Sequence, residues 1–154
     1  MMKYSFRITK YKIYGDDKKT LYSLPDEWTS FFDVEKGIVS MKEYKRVELE
    51  YINIILKICE LLNVKCLKIK ALSIYSNIKA YKNNQHIDIK KLPKLLELIL
   101  REDMWCKLCS RNCQFHFGYD YYLYAVCNKD IEKKTQKLIR YIKYRKIYIS
   151  LFKG

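Results

Sequence analysis

Glycine, proline and histidine are scarce in this chain. Its 154 residues include four glycines, two prolines and two histidines. The sequence therefore lacks a glycine-rich loop for a nucleotide phosphate, and sites built from several histidines have little material. It also lacks any apolar run of the roughly 20 residues that span a membrane, and residues 1–12 alternate between polar and apolar instead of forming a signal-peptide core. We therefore expect a cytoplasmic protein with no cofactor and no membrane partner.

Apolar and aromatic residues are abundant by contrast. Hydrophobic residues make up 49% of the chain and aromatic residues 15%, which excludes intrinsic disorder. A chain of this length forms one domain, and such a domain buries roughly 70% of the surface that its unfolded state exposes. We expect a single α+β domain over residues 1–154 that folds without a metal or a disulfide.

Hydrophobic periodicity predicts the elements of this domain. The longest pattern runs from Cys113 to Cys127, with the odd-numbered residues on the buried side and Gly118 as a bulge. Ser40 and Glu43 fit a capping box before a long helix. The pattern predicts a largely antiparallel sheet of about five strands with two or three helices on one face. The strands are expected at 3–14, 65–72, 104–110, 113–127 and 147–151, the helices at about 40–62, 92–100 and 129–143, and a long loop at 18–39.

Glu48 interrupts the apolar stripe of the first predicted helix. An ionised carboxylate at such a position needs a partner, because burying an unpaired charge is costly. Arg7 and Arg101 are the candidate cations.

Positive charge dominates the composition. The chain has 31 basic and 17 acidic residues and a formal charge of +14. Residues 129–154 carry nine of the basic residues and two acidic ones, whereas residues 21–40 are acidic. Lys133, Lys137 and Arg140 lie on the outward side of the third predicted helix and could bind nucleic acid without sequence specificity. Lysine outnumbers arginine, which argues against bidentate base reading and fits A+T-rich codon usage.

One cluster has the ligand types of a zinc site. Cys106, Cys109, Cys113 and His116 fall within 11 residues, and tetrahedral zinc accepts thiolate and imidazole ligands. Neither glycine nor proline turns the chain between the first two cysteines, and a strand would place them on opposite sides of the sheet. We interpret the cysteines as reduced thiols and expect no metal. A small enzyme with a thiol activated by His116 is an open alternative.

The outward side of the long strand offers a binding surface. His116, Asp120, Tyr122 and Tyr124 lie there, and tyrosine is enriched in protein interfaces. The alternative is that a helix or the 18–39 loop covers these side chains. Within that loop, Asp26 and Trp28 are a second candidate contact.

Four sequence runs together resemble the immunity proteins of bacterial polymorphic toxin and contact-dependent inhibition systems. They are Phe6 to Tyr11, Asp26 to Ser30 with Asp33, Leu98 to Asp103 with Trp105 to Leu108, and Phe117 to Tyr122. The resemblance implies a non-enzymatic cytosolic protein that binds and occludes a cognate toxin, and it carries over no catalytic residue. With a charge of +14, this chain would suit a toxin with an acidic contact face. A nucleic-acid-binding accessory or phage protein that uses the basic helix is the alternative.

Overall fold

A computed structural model describes residues 2–14, 21–22 and 27–153 of the chain, and side chains within 4–12 and 27–151. The strands are β1 (Met2–Thr9), β2 (Ile13–Tyr14), β3 (Leu21–Tyr22), β4 (Cys66–Ile74), β5 (His86–Asp88), β6 (Met104–Cys109), β7 (Cys113–Phe117), β8 (Leu123–Asn128) and β9 (Tyr148–Lys153). The α-helices are α1 (Phe32–Glu35), α2 (Met41–Leu61), α3 (Leu92–Leu100) and α4 (Thr135–Ile142). Short 3-10 helices cover Ile89–Lys91, Tyr119–Tyr121 and Lys129–Lys134.

Seven of these strands form one sheet within the described residues. Their order is β5-β4-β6-β7-β8-β1-β9, and every neighbouring pair is antiparallel. β2 and β3 form a separate two-stranded hairpin. The α+β class and the antiparallel sheet are thereby confirmed.

The helices pack on one face of the sheet. Phe6, Phe115 and Leu123 from the strands share a single buried cluster with Ile55 of α2 and Leu96 of α3. Leu138 of α4 belongs to the same cluster. Residues that alternate with the buried ones on β6, β7 and β8 are half-buried. The described α2, α3 and α4 therefore pack on the buried face of the sheet, and the residues on its opposite face are half-buried.

The ends of α2 follow their sequence signals. Ser40 Oγ accepts a hydrogen bond from the Glu43 backbone N–H at 3.1 Å, as the capping box predicts. The Glu43 carboxylate does not return to the cap and instead pairs with Arg46 at 2.7 Å. At the other end Asn63 adopts a left-handed φ of 55° and closes the helix.

The sequence pattern predicted too few strands, mainly because it did not reveal one turn. Residues 113–127 form two strands, because the chain reverses between Gly118 and Tyr122 and β7 pairs with β8. The buried residues are odd-numbered on both sides of this turn, so one period-two pattern runs through it without a break. The pattern also missed β5 and the two-residue β3, and the predicted strand at 3–14 divides into β1 and β2.

The helix count was also low. The described residues contain four α-helices, of which the short α1 falls within the predicted 18–39 loop. The predicted helix at 129–143 is a 3-10 helix over Lys129–Lys134 followed by α4.

Candidate binding site around the 118–122 turn

The turn between β7 and β8 has an unusual backbone. The Gly118 N–H donates to the Tyr122 carbonyl at 2.8 Å and closes the turn. Asp120 and Tyr121 have φ values of 58° and 66°, in the left-handed region. This region is uncommon for any residue except glycine and is an outlier for a bulky one. The surrounding structure must therefore hold the turn in place.

Tyrosines from distant parts of the chain supply the hydrogen bonds that hold it. The Tyr51 hydroxyl donates to the Tyr121 carbonyl at 2.8 Å, and the Tyr11 hydroxyl donates to the Asp120 carbonyl. The Tyr121 hydroxyl donates to that of Tyr44 at 2.8 Å. Burial raises the pKa of all four phenols above the ordinary value, so they are protonated donors at neutral pH.

A pocket of about 440 Å³ lies beside this turn, where β6 begins and β7 ends. Its lining includes three large aromatic side chains: Tyr75 and Tyr119, which are 66% and 92% exposed, and the half-buried Trp105. The Trp105 indole N–H donates to the Phe117 carbonyl at 2.8 Å, which fixes the ring. The exposed residues Glu102 and Asp120 also line the pocket.

The sheet face opposite the helices carries a ladder of stacked side chains. The rings of His116 and Tyr124 lie 5.1 Å apart at an interplanar angle of 15°. The Arg7 guanidinium lies 5.8 Å from the Tyr124 ring centroid and 5.7 Å from that of Tyr122. We call the surface formed by Arg7, Lys107, His116, Tyr122 and Tyr124 the open face.

Gly118 allows this ladder to form. A Cβ at Gly118 would lie 2.7 Å from Cε2 of Tyr124, so any larger residue would displace the ring. Burial and the nearby Lys107 ammonium lower the pKa of His116. The imidazole is therefore neutral at pH 7, and the fixed positive charges near it are those of Arg7 and Lys107.

Acidic residues are missing from most of the sheet. None of the residues in β1, β4, β6, β7, β8 and β9 is aspartate or glutamate, while Arg7, Lys68, Lys70 and Lys107 lie on these strands. On β4 and β6, Lys70 is the direct neighbour of Lys107. Within the described residues, these strands therefore contribute basic and no acidic side chains to the open face.

The basic surface of α4 is separate from the open face. Lys133, Lys137 and Arg140 are all exposed there, and Tyr144 is 84% exposed. Arg145 is partly neutralised by Glu50 at 3.1 Å.

The predicted contact residues fall into different environments. His116, Tyr122 and Tyr124 lie together on the open face, whereas Asp120 lies at the exposed turn. Trp28, a candidate contact of the loop, is 9% exposed, and its ring packs 5.1 Å from that of Tyr121. Trp28 is buried because the loop folds back over the turn. Asp26 lies outside the described residues.

Arg101 is the partner of Glu48. Its Nε and Nη2 donate to the two carboxylate oxygens at 3.0 Å each. Arg7, the other candidate, lies on the opposite side of the sheet.

The four residues of the predicted zinc alternative do not converge. Cys106 and Cys113 are buried under the helices, whereas Cys109 and His116 are on the opposite side. Within the described residues, no three His, Cys, Asp or Glu side chains are grouped to hold a metal ion. Burial raises the pKa of Cys106 to about 12, which makes its thiol unreactive.

Sequence reasoning missed the pocket residues Tyr75, Glu102, Trp105 and Tyr119. Tyr119 was placed on the buried side of the long strand and is instead almost fully exposed. The adjacent glycine and aspartate were the available turn signals, but the uninterrupted alternation concealed them.

No match was found when the chain was compared with protein-family models, with curated proteins and with solved structures. None of the described helices has the length and apolar character needed to cross a bilayer.

Proposed function

We propose that this protein is a bacterial cytoplasmic inhibitor of the immunity type, which binds a cognate toxin through the open face and occludes it sterically. The observation that carries the proposal is the ladder of half-buried side chains formed by His116, Tyr124 and Arg7 on strands without acidic residues. The sequence resemblance to immunity proteins supports the same function.

The composition of the open face favours a protein partner. Tyrosine and arginine are enriched among the residues that dominate binding energy in protein interfaces. Here the tyrosines are already fixed, Tyr124 by its stack on His116 and its packing over Gly118. Side chains that are ordered before binding lose less conformational entropy when the complex forms.

The charge of the open face indicates an acidic contact surface on that partner. Arg7 and Lys107 contribute positive potential, and the whole chain carries +14. Complementary charge accelerates association and makes it sensitive to salt. We therefore expect rapid association with the toxin at low ionic strength.

Charge reversal at Lys107 tests this proposal. Lys107→Glu places a carboxylate on the open face, and Lys94→Glu makes the same charge change on α3, on the helical side of the sheet. A toxin encoded by a neighbouring gene is the partner to test. Expression of the toxin alone should arrest growth, and co-expression of the wild type or of Lys94→Glu should restore it.

Lys107→Glu should fail to restore growth and should weaken the purified complex by at least about tenfold, because like charges across an interface are repulsive. Equal protection by the two variants would contradict the open face as the contact surface. A toxin that neither wild type nor variant binds would contradict the immunity function.

A second candidate function is non-specific nucleic-acid binding through α4. The observation that favours it is Tyr144, which is 84% exposed beside the basic residues Arg140 and Lys146 around a shared cleft. An exposed ring that can stack on a base, next to cations that can bind phosphates, is the arrangement found in single-strand-binding surfaces.

Salt-dependent binding distinguishes this candidate. A duplex and a single strand of about 30 nucleotides would be titrated at about 50 and 200 mM salt, because phosphate contacts release counterions. The Lys133→Ala, Lys137→Ala, Arg140→Ala triple variant should bind more weakly and flatten the salt dependence. The matched control changes Lys90, Lys91 and Lys94 to Ala, near the opposite edge of the sheet. Equal affinity of the two triple variants would exclude α4.

A further inference from the structure

The pocket beside the 118–122 turn differs in charge from the rest of the molecule. Among the described residues that line it, Glu102 and Asp120 are acidic and none is basic. The chain as a whole has nearly twice as many basic as acidic residues. A local pair of carboxylates in this background makes the pocket a site where a cation is favoured over an anion.

Aromatic rings provide the second attraction for a cation. Trp105, Tyr75 and Tyr119 line the same pocket as the two carboxylates. An ammonium or guanidinium group over an aromatic face is attracted by the ring quadrupole, most strongly by tryptophan. The volume of 440 Å³ is within the range of ligand pockets, about 300–1,000 Å³.

The backbone at the pocket is left-handed at both carboxylates and strained at Glu102. Glu102 has a φ of 62° and Asp120 a φ of 58°. Such strain is maintained by the surrounding structure and is concentrated at functional sites. Here it places both acidic residues in the pocket lining.

Glu102 shows this most clearly, because the same helix ending occurs twice in the chain. After α3, the Glu102 N–H donates to Ile99 and the Asp103 N–H to Leu98, which is a Schellman motif. After α2, the equivalent left-handed position is Asn63. Asparagine and glycine are the ordinary residues there. Glutamate has no conformational advantage at this position.

We infer that this pocket binds one organic cation, the guanidinium or ammonium group of an arginine or lysine side chain. The assignment of that side chain to the toxin rests on the proposed function. The cation preference of the pocket does not.

Titration with capped amino acids tests the cation preference without a partner protein. The probes are the N-acetyl amides of arginine and lysine, with the N-acetyl amide of citrulline as the neutral analogue of the arginine probe. The readout is the NMR signal of the Trp105 indole N–H in isotope-labelled protein, assigned by its loss in Trp105→Phe. We expect saturable shifts with the two cationic probes and none with citrulline.

The variants were chosen to preserve the backbone. Asp120→Asn removes the charge but keeps a residue that tolerates the left-handed region, and Glu102→Gln removes the second charge. Each should weaken binding of the arginine probe at least fivefold, while Asp130→Asn, in the 3-10 helix before α4, should leave it unchanged. The amide spectrum reports folding in every sample.

The inference would be overturned if citrulline bound as well as arginine, or if Asp120→Asn and Glu102→Gln both kept wild-type affinity. A wild-type protein that gives no saturable shift with either cationic probe would also overturn it. None of these results depends on the growth test with Lys107→Glu. Failure of the cation-binding inference can therefore be distinguished from failure of the proposed function.

Discussion

Arg101 and Glu48 form a bidentate ion pair between the end of α3 and the middle of α2. Both hydrogen bonds measure 3.0 Å, and the side chains are 22% and 7% exposed. The Arg101 guanidinium also lies 4.8 Å from the Phe31 ring centroid. The pair therefore joins α2, α3 and the segment before α1 at one point.

Removal of Arg101 should be strongly destabilising. Arg101→Ala leaves the Glu48 carboxylate buried without its cation, and we expect the free energy of unfolding to fall by about 3 kcal/mol. Arg46→Ala, which breaks an exposed pair with Glu43, should cost less than about 1 kcal/mol. Urea denaturation measures both values. A double Arg101→Met, Glu48→Met variant should recover much of the loss, and a double variant as unstable as Arg101→Ala would show that the buried charge is not the cause.

The Tyr51 hydroxyl is the centre of the hydrogen bonds that hold the 118–122 turn. It donates to the Tyr121 carbonyl at 2.8 Å and accepts from the Lys10 N–H at 2.7 Å. Tyr51→Phe deprives the Tyr121 carbonyl and the part-buried Lys10 N–H of their partner, so we expect a loss of about 1–3 kcal/mol in the free energy of unfolding. Tyr75→Phe, at an exposed ring, should have no measurable effect. If the two variants are equally stable, the tyrosine bonds do not hold the turn.

Lys10 makes stability depend on pH in the alkaline range. Its ammonium lies 4.1 Å from the Trp28 ring centroid, 4.2 Å from that of Tyr11 and 3.8 Å from the Glu27 carboxylate. Burial lowers the pKa of Lys10 to about 8, although Glu27 and Asp33 oppose the shift. Between about pH 8 and 10.5 the unfolded chain holds more protons at this lysine than the folded chain, so its contribution to stability rises with pH.

A difference measurement isolates this effect. Buried thiols and phenols with raised pKa values, such as Cys106 and Tyr51, act in the opposite direction as pH rises. We therefore expect the stability of the wild type relative to Lys10→Met to increase from pH 8 to 10.5, measured by urea denaturation at each pH. A difference that stays constant over this range would contradict a lowered pKa at Lys10.

Local sequence signals predicted the elements whose stability is local. Ser40 caps α2, and the period-two pattern of β1 matches its buried face. The need of Glu48 for a cation could also be predicted, because a single carboxylate on an apolar stripe becomes buried and an unpaired buried charge is costly.

The turn at 118–122 could not be predicted in the same way. Two tyrosine hydroxyl groups from distant positions hold its left-handed residues. Tyr11, which binds the Asp120 carbonyl, is 109 positions away in the chain, and Tyr51, which binds the Tyr121 carbonyl, is 70 positions away. No local preference encodes such contacts. The pocket was missed for the same reason, because Trp105, Tyr119 and Glu102 come together only after the sheet and α3 are assembled.

Substitution of Glu102 by glycine should change the stability of the fold and the binding of the arginine probe in opposite directions. Glycine at its left-handed position removes the steric conflict of a Cβ, so Glu102→Gly should raise the free energy of unfolding by about 0.5–1 kcal/mol. The matched variant Asn63→Gly, at the end of α2, should change it by only a few tenths of a kcal/mol, because asparagine already tolerates this conformation. Thermal and urea denaturation measure both. Glu102→Gly should at the same time weaken binding of the arginine probe. If it instead destabilises the protein, the Glu102 side chain stabilises the fold directly, and its strained backbone needs no ligand to explain it.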